Sequence, residues 1–426
     1  MTTRSYIPAL STALVFLLFS CREDGAGLLT PDGGDTESPS GWETETSANG
    51  HGTDSSGEET FPKPCADIYD ESLLPTFEVE MDETEWRAME NDCRNYVQEY
   101  RPIVFRYEGE SASAMMRLKG NWSWNCDKMQ FVVSFNETDS NGRFHGLRKI
   151  VLDAPWYDPT LVHERLAFYY LKQYGMPYSC VNNARLYVNG QYYGIYVNVE
   201  RLDREYLERH YALPDGNLYK EGRELKTNED WADTSRNDAF WAAEDVQALE
   251  NLVDLDHAVR LWAGLAMAPD PDSYWAGVEI NFYLYDHPTR GFLYLPYDMD
   301  IAFAENLWPS LEEVDPITFE HEDWLREPQY ETVMSDEGWC NAFVDALTDA
   351  RAAYDPTALA NKLALWSTQI EDAVDADPNK TFTMAERGSA LDELHTFFDR
   401  RAAFVDRWLE GGRHCPPEWP AHPANW

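Results

Sequence analysis

The stretch Asn183-Ala-Arg-Leu-Tyr-Val-Asn-Gly-Gln-Tyr-Tyr-Gly-Ile-Tyr-Val-Asn-Val-Glu200 carries the clearest structural signal in the chain. Asn189-Gly190 sits between two alternating apolar runs, and this dipeptide favours a type I′ turn because both residues tolerate positive φ. The spacing predicts a hairpin that pairs Leu186 with Tyr193 and Ala184 with Ile195 on one face. Upstream, Asp158-Pro159 predicts an N-cap with proline in the first turn, then a helix over Thr160–Tyr174 closed by Gly175 and Pro177. Ile103–Tyr107, Ala114–Leu118 and Phe131–Phe135 read as strands of one sheet. Phe77–Met81 alternates with period two, and Asp82 then caps a short helix through Trp86 and Met89. Downstream, Asp256–Ala268 reads as a helix burying Leu261, Trp262 and Leu265, and Asn281–Tyr285 with Phe292–Leu295 as a second hairpin. The last third is mostly helical, ending in Leu391–Leu409. Strands first and helices later predict an α+β fold, strand-rich over about 65–200 and helix-rich over about 201–412, with a tail at 413–426.

The 426 residues carry 76 Asp+Glu against 34 Lys+Arg, a formal net charge of −42. Such a surplus argues against binding a nucleic-acid backbone or docking electrostatically on anionic lipid. Arg4 and the apolar run Tyr6–Phe19 are too short to span a membrane and read as a secretory signal over 1–20. Leu18-Phe19-Ser20-Cys21 resembles the lipobox of bacterial lipoproteins, with Cys21 as the lipidated residue. This implies a place in the bacterial cell envelope, at the outer membrane or cell surface, with contact to the membrane only through the lipid. Residues 21–64 are rich in Gly, Ser, Thr, Asp and Glu and read as a flexible acidic tether. Residues 1–60 hold ten acids and two bases, so most of the surplus belongs to the folded part. Setting Cys21 aside leaves six cysteines, an even number that suggests disulfides in an oxidising compartment. Fifteen connectivities are open. No CxxC or HExxH spacing points to zinc.

Two clusters could carry chemistry. Asp298 and Asp300, two apart on a segment read as extended, would project to one face and repel each other unless a cation sits between them. Asn281 opens a strand expected nearby and could add a neutral oxygen ligand, while Asp272 on a loop is free to accept a hydroxyl proton. The second cluster is basic: Arg117 and Lys119 share a strand face, and Lys128 begins the next strand. Placed beside the carboxylates, these cations could hold phosphates. An acidic turn or a calcium site, and cations paired with neighbouring acids, are the plainer readings of the two clusters. No GxSxG, Walker A or zincin motif is present. Paired acids could also serve a glycosidase, and the tryptophans could line a carbohydrate cleft, although core packing explains them too.

At these residues the chain resembles the CotH family, the spore coat protein H kinases, which have an atypical protein-kinase-like fold. The resemblance runs through Arg117-Leu-Lys-Gly-Asn121 with Lys128, Leu147–Asp153, Val162–Gly175, Leu186–Tyr196 with Glu200-Arg-Leu-Asp203, Asn281–Tyr285 and Pro296-Tyr-Asp-Met-Asp300. It implies a kinase-like domain over 65–412 and phosphoryl transfer from ATP, with Mg²⁺ or Mn²⁺, to Ser or Thr of a protein substrate. By the same resemblance Asp272 is the catalytic Asp, and Asn281 with Asp298 or Asp300 binds metal. Arg117, Lys119 and Lys128 contact phosphates, and Glu200 lies at the hinge strand. Tyr297 stands where the family has Trp, and Trp122 interrupts its Asn-Ser pair. The alternative is a catalytically silent, surface-anchored binding or adhesion protein on the same scaffold, because fold does not settle function.

Overall fold

The computed structural model describes residues 60–120, 123–277, 279–319, 328–412 and 414–419. The expected leader, Cys21, most of the tether, and Asn121 and Trp122 of the family motif lie outside the described residues.

Seven strands close into a barrel in the order β1-β2-β3-β4-β5-β7-β6. They are β1 (Thr76–Glu80), β2 (Arg101–Tyr107), β3 (Glu110–Lys119), β4 (Gln130–Ser134), β5 (Lys149–Asp153), β6 (Val181–Val188) and β7 (Gln191–Val199). Alternation decides which side chains fill it: Met116 and Leu118 of β3, Phe131 and Val133 of β4, and Ile150 and Leu152 of β5 are all essentially inaccessible. Closure comes from the parallel pairing of β1 with β6, whereas the other pairs are antiparallel. Helix α1 (Glu83–Arg94) starts where Asp82 accepts the Thr84 N–H. Helix α2 (His163–Tyr174) ends on Gly175 in the left-handed conformation at φ 77°.

The second half contributes a four-stranded sheet, β11-β10-β8-β9, made of β8 (Asn217–Lys220), β9 (Glu224–Leu225), β10 (Phe282–His287) and β11 (Gly291–Pro296). Around it stand α3 (Arg204–His210), α4 (Ser235–Trp241), α5 (Val246–Glu250), α6 (Leu255–Met267), α7 (Pro328–Ser335), α8 (Glu337–Ala353), α9 (Pro356–Asp375) and α10 (Met384–Glu410). Long-range ties are made largely by buried arginines that collect main-chain carbonyls. Arg401 on α10, wholly buried, donates to Ala266 O at the end of α6 (2.5 and 3.0 Å) and to Glu312 O and Val314 O. Tyr170 and Tyr174 of α2 donate to Ala350 O and Ala346 O of α8. Three disulfides pair the six remaining cysteines as Cys65–Cys180, Cys93–Cys126 and Cys340–Cys415. The architecture is α+β, as the order of strands and helices predicts.

Local details depart from the sequence reading in four places. Asn189 and Gly190 both take positive φ, 50° and 78°, as a type I′ turn requires. Near that turn Tyr187 pairs with Tyr192, but a bulge then shifts the register, so Leu186 faces Gly194 and Ala184 faces Tyr196. Next to the bulge, a Cβ on Gly194 would lie 1.9 Å from Lys128 Nζ and 2.5 Å from an Asp377 carboxylate oxygen, so the strand gives up a side chain there. Helix α2 starts three residues later than expected: Asp158 Oδ1 holds Thr160 (N at 2.7 Å, Oγ1 at 2.5 Å) ahead of the helix, and its Oδ2 reaches the first helical N–H, that of His163, at 3.4 Å. Asn281, at φ 58°, precedes its strand and does not open it. Asp298, at φ 55°, lies past the end of β11, so the Asp298–Asp300 segment is not extended.

Candidate active site

The barrel and the second sheet each bring charged groups to one place. Lys119 is the last residue of β3, and Asp153 is the last of β5, two strands away. Strand pairing sets β4 between them, and the Lys119 ammonium forms an ion pair with Asp153 Oδ2. Glu164, in the first turn of α2, is 3% exposed, and its Oε2 has no hydrogen-bond partner among the described residues. From the other half come Asp298 and Asp300, just past β11, and Asp272 with Asn281, just before β10. Asp300 Oδ2 accepts the Tyr157 hydroxyl at 2.5 Å.

Asp272 and Asn281, nine residues apart, are joined directly. The Asn281 amide Nδ2 donates to Asp272 Oδ2 at 3.0 Å and to Asp272 O at 2.9 Å. The left-handed backbone at Asn281 is what turns its side chain back onto the loop. Asp270, 1% exposed, accepts the Asp272 N–H at 2.8 Å and fixes the other side of that loop.

The electrostatics follow from crowding acids into a poorly hydrated space. Burial and then the Asp298 charge push the Asp272 carboxyl up to about 7, although the Asn281 bond pulls the other way. Burial also raises Glu164, with Asp298 and Asp153 adding to it and Lys119 opposing. Asp298 is raised by burial against the pull of Lys119, and Asp300 by burial and the Asp298 charge. Burial works against the Lys119 ammonium, yet Asp153 and Asp298 hold it protonated above its ordinary range. Lys220 and Glu221, at the end of β8, act on Asp298 as well. The set is thus rich in oxygen donors and short of positive charge. All are hard ligands of the kind that Mg²⁺ and Mn²⁺ take, and the unpartnered Glu164 oxygen fits such an ion. Among the described residues no three His, Cys, Asp or Glu cage an ion by themselves. Nucleotide phosphate oxygens and water would have to complete the shell, as is usual for Mg²⁺.

Of the residues singled out in the sequence, Lys119, Asp272, Asn281, Asp298 and Asp300 come together. Arg117 keeps the same strand face as Lys119, with its guanidinium on the Gln98 side chain and Leu118 O and beside the Tyr100 ring. Lys128 is placed elsewhere. It is 4% exposed, paired with Asp377 at 2.6 Å beside Gly194, and burial lowers its pKa to about 8 despite that partner. Glu200 also turns away from the carboxylates: both oxygens bond Arg209 (2.9 and 2.6 Å), and Oε2 also accepts the Cys180 N–H. Its fork geometry makes it a strut between β7 and α3. Asp153, Glu164, Asp270 and Tyr157 were not singled out. Asp153 could have been found, because it ends its strand as Lys119 does; Glu164, in a first turn that also holds His163 and Arg165, had no signal to set it apart.

The family model for CotH kinase protein matches residues 116–405, a span holding every group named in this site. Inner spore coat protein H of Bacillus subtilis (strain 168) is 22% identical over 266 residues, covering 56% of this chain and 71% of that protein. Among solved structures, the Helicobacter pylori proinflammatory kinase CtkA aligns with a TM-score of 0.36 and 10% identity, over 66% of this chain and 94% of its own. Because the family model spans well over half of the sequence, the chain belongs to the CotH kinase protein family.

Proposed function

We propose that the chain transfers a phosphoryl group from ATP to a serine or threonine hydroxyl of an extracellular or surface protein, in a reaction that depends on Mg²⁺ or Mn²⁺. The observation that carries this reading is the Asp272–Asn281 pair. A carboxylate that accepts a hydroxyl proton needs a fixed orientation and a pKa near the working pH. Asn281 supplies the first through its bond to Oδ2, and burial with the Asp298 charge supplies the second. As the acceptor oxygen bonds the γ-phosphorus, Asp272 takes the hydroxyl proton; the bond from that phosphorus to the β–γ bridging oxygen breaks, and ADP departs. Lys119 is the cation on hand to hold phosphate oxygens. Asp298, Asp300 and the Asn281 side-chain oxygen would hold the divalent ion, with Glu164 in reserve. When bound, the ion neutralises charge on the transferring phosphate. The disulfides support the expectation of an envelope location, with Cys21 as anchor.

One observation favours the silent, surface-anchored binding protein instead: Asp153 already engages the Lys119 ammonium. Incubation with γ-labelled ATP and Mn²⁺ separates the readings. The kinase reading expects label in the wild type and none in Asp272→Asn or Asp298→Asn. Equal labelling of all three would sink the site, and an unlabelled wild type offered surface proteins from its own cells would leave the silent scaffold.

A further inference from the structure

The chain that leaves Lys119 is fastened to its surroundings by several independent ties. Gly120 turns at φ 114°, where an added Cβ would come 3.3 Å from Ser123 Oγ, so the turn is tight. Gln98 Nε2 donates to Gly120 O at 3.2 Å. Gln130, opposite Lys119 in the β3–β4 register and 2% exposed, donates to Ser123 O at 2.8 Å. Its other end accepts the Ala154 N–H at 3.2 Å, next to Asp153. One buried amide therefore links the segments that follow both members of the Lys119–Asp153 pair. Beyond these, Trp124 Nε1 donates to Cys93 O at 2.8 Å, and the Cys93–Cys126 disulfide bonds the segment covalently to the last turn of α1.

We propose that the Cys93–Cys126 disulfide is a positioning brace for Lys119, and that a dithiol reductant which opens it weakens binding of the metal–nucleotide complex. The inference rests on the phosphoryl-transfer reading of the site. Opening breaks the Cys93–Cys126 sulfur–sulfur bond and yields two thiols. The dithiol supplies both electrons and both protons and becomes a disulfide itself. Access favours this bond over the others. Thiol–disulfide exchange needs an open line to a sulfur, and Cys126 is exposed. Cys180, Cys340 and Cys415 are buried, and Cys65 is half-buried. Loss of the brace leaves the Gln98 and Gln130 amides and the Trp124 indole to hold the turn, with no covalent stop on it. A catalytic cation tolerates little displacement, since small misplacements cost rate and affinity steeply.

The test uses the full chain, oxidised, against Cys93→Ala/Cys126→Ala and against wild type treated briefly with dithiothreitol, with alkylation and mass spectrometry confirming which pair opened. Binding of MnATP and of manganese tripolyphosphate is titrated well below the melting temperature, with far-ultraviolet circular dichroism as the folding control. Hydrogen exchange is followed in peptides containing Gly120 and Ser123. The expected result is a dissociation constant roughly tenfold higher for both ligands, faster exchange at Gly120 and Ser123, and recovery on reoxidation. Equal affinities in the oxidised and opened states, or unchanged exchange, would overturn the brace while leaving the kinase reading intact. An oxidised wild type that binds neither ligand would overturn both. A purely structural disulfide would lower the melting temperature without moving the affinities, which also counts against the brace.

Discussion

Asp272→Asn should make this protein more stable and less useful at the same time. The carboxyl of Asp272 sits at about 7 where its ordinary value is 3.8. One tenfold step in proton affinity is worth about 1.4 kcal/mol, so the whole gap corresponds to about 4 kcal/mol. The sign follows from linkage. Between pH 4 and 7 the folded state holds a proton on Asp272 that the unfolded chain has released, so stability falls as pH rises through this window. Asparagine keeps the neutral form at every pH and can still accept the Asn281 amide through its Oδ1. Urea unfolding of metal-free protein should therefore show the variant more stable than wild type by up to about 4 kcal/mol at pH 8, and by close to nothing at pH 4. The figure is an upper bound, because Asp272 is only partly shielded from water. Phosphoryl transfer should be lost in the same variant, a trade-off common where strained charges serve a reaction. A variant whose stability difference does not change between pH 4 and pH 8 would refute the claim that burial and Asp298 hold this carboxyl up.

Other outcomes follow from the same geometry. Lys119→Met leaves Asp153 without its partner beside Glu164, so it should lose about 3–5 kcal/mol in urea unfolding at pH 8 and bind manganese tripolyphosphate at least tenfold more weakly. Lys128→Met strands the buried Asp377 carboxylate and should cost a similar 3–5 kcal/mol, yet leave the MnATP dissociation constant unchanged. A Lys128 variant with normal stability and weakened nucleotide binding would restore that residue to the phosphate site. Mg²⁺ or Mn²⁺ alone should raise the melting temperature at pH 8, where the carboxylates are most ionised, with chelation reversing it. About 2.7 kcal/mol is expected at a hundredfold excess over the dissociation constant. No shift at pH 8 would count against metal binding by Asp298 and Asp300.

Much of the fold could be read from local pattern, because alternation, caps and turn residues act within a few positions. The Asn189-Gly190 hairpin, the Asp82 cap and the Gly175 stop are all of that kind. The register of β7 beyond its turn was not readable, because a bulge has no local signal here, and neither was the need for Gly194, which answers to Lys128 and Asp377, 66 and 183 residues away. The same limit applied to charge. Nothing near Lys128 announces a buried partner on the α9–α10 connection, so a basic residue in a basic motif looked like a phosphate contact. Glu200 was similar: its bidentate arginine lies a helix away. By contrast Asp272 and Asn281 were legible as chemistry, though not as a bonded pair, since the left-handed conformation of Asn281 has no sequence signature of its own.

The Cys65–Cys180 bond has a mechanical consequence. With its two cysteines 115 residues apart in sequence, it encloses β1–β5, α1 and α2 in a single covalent ring. A pull that reaches Cys65 from its N-terminal side passes through the sulfur bridge directly to the residue before β6. The ring carries no tension, and none of its strands can be peeled away in sequence. Lys119, Asp153 and Glu164 all lie inside that ring. A protein held in place by its N-terminal end would thus keep half of its candidate site off the load path, whatever tugs on the rest.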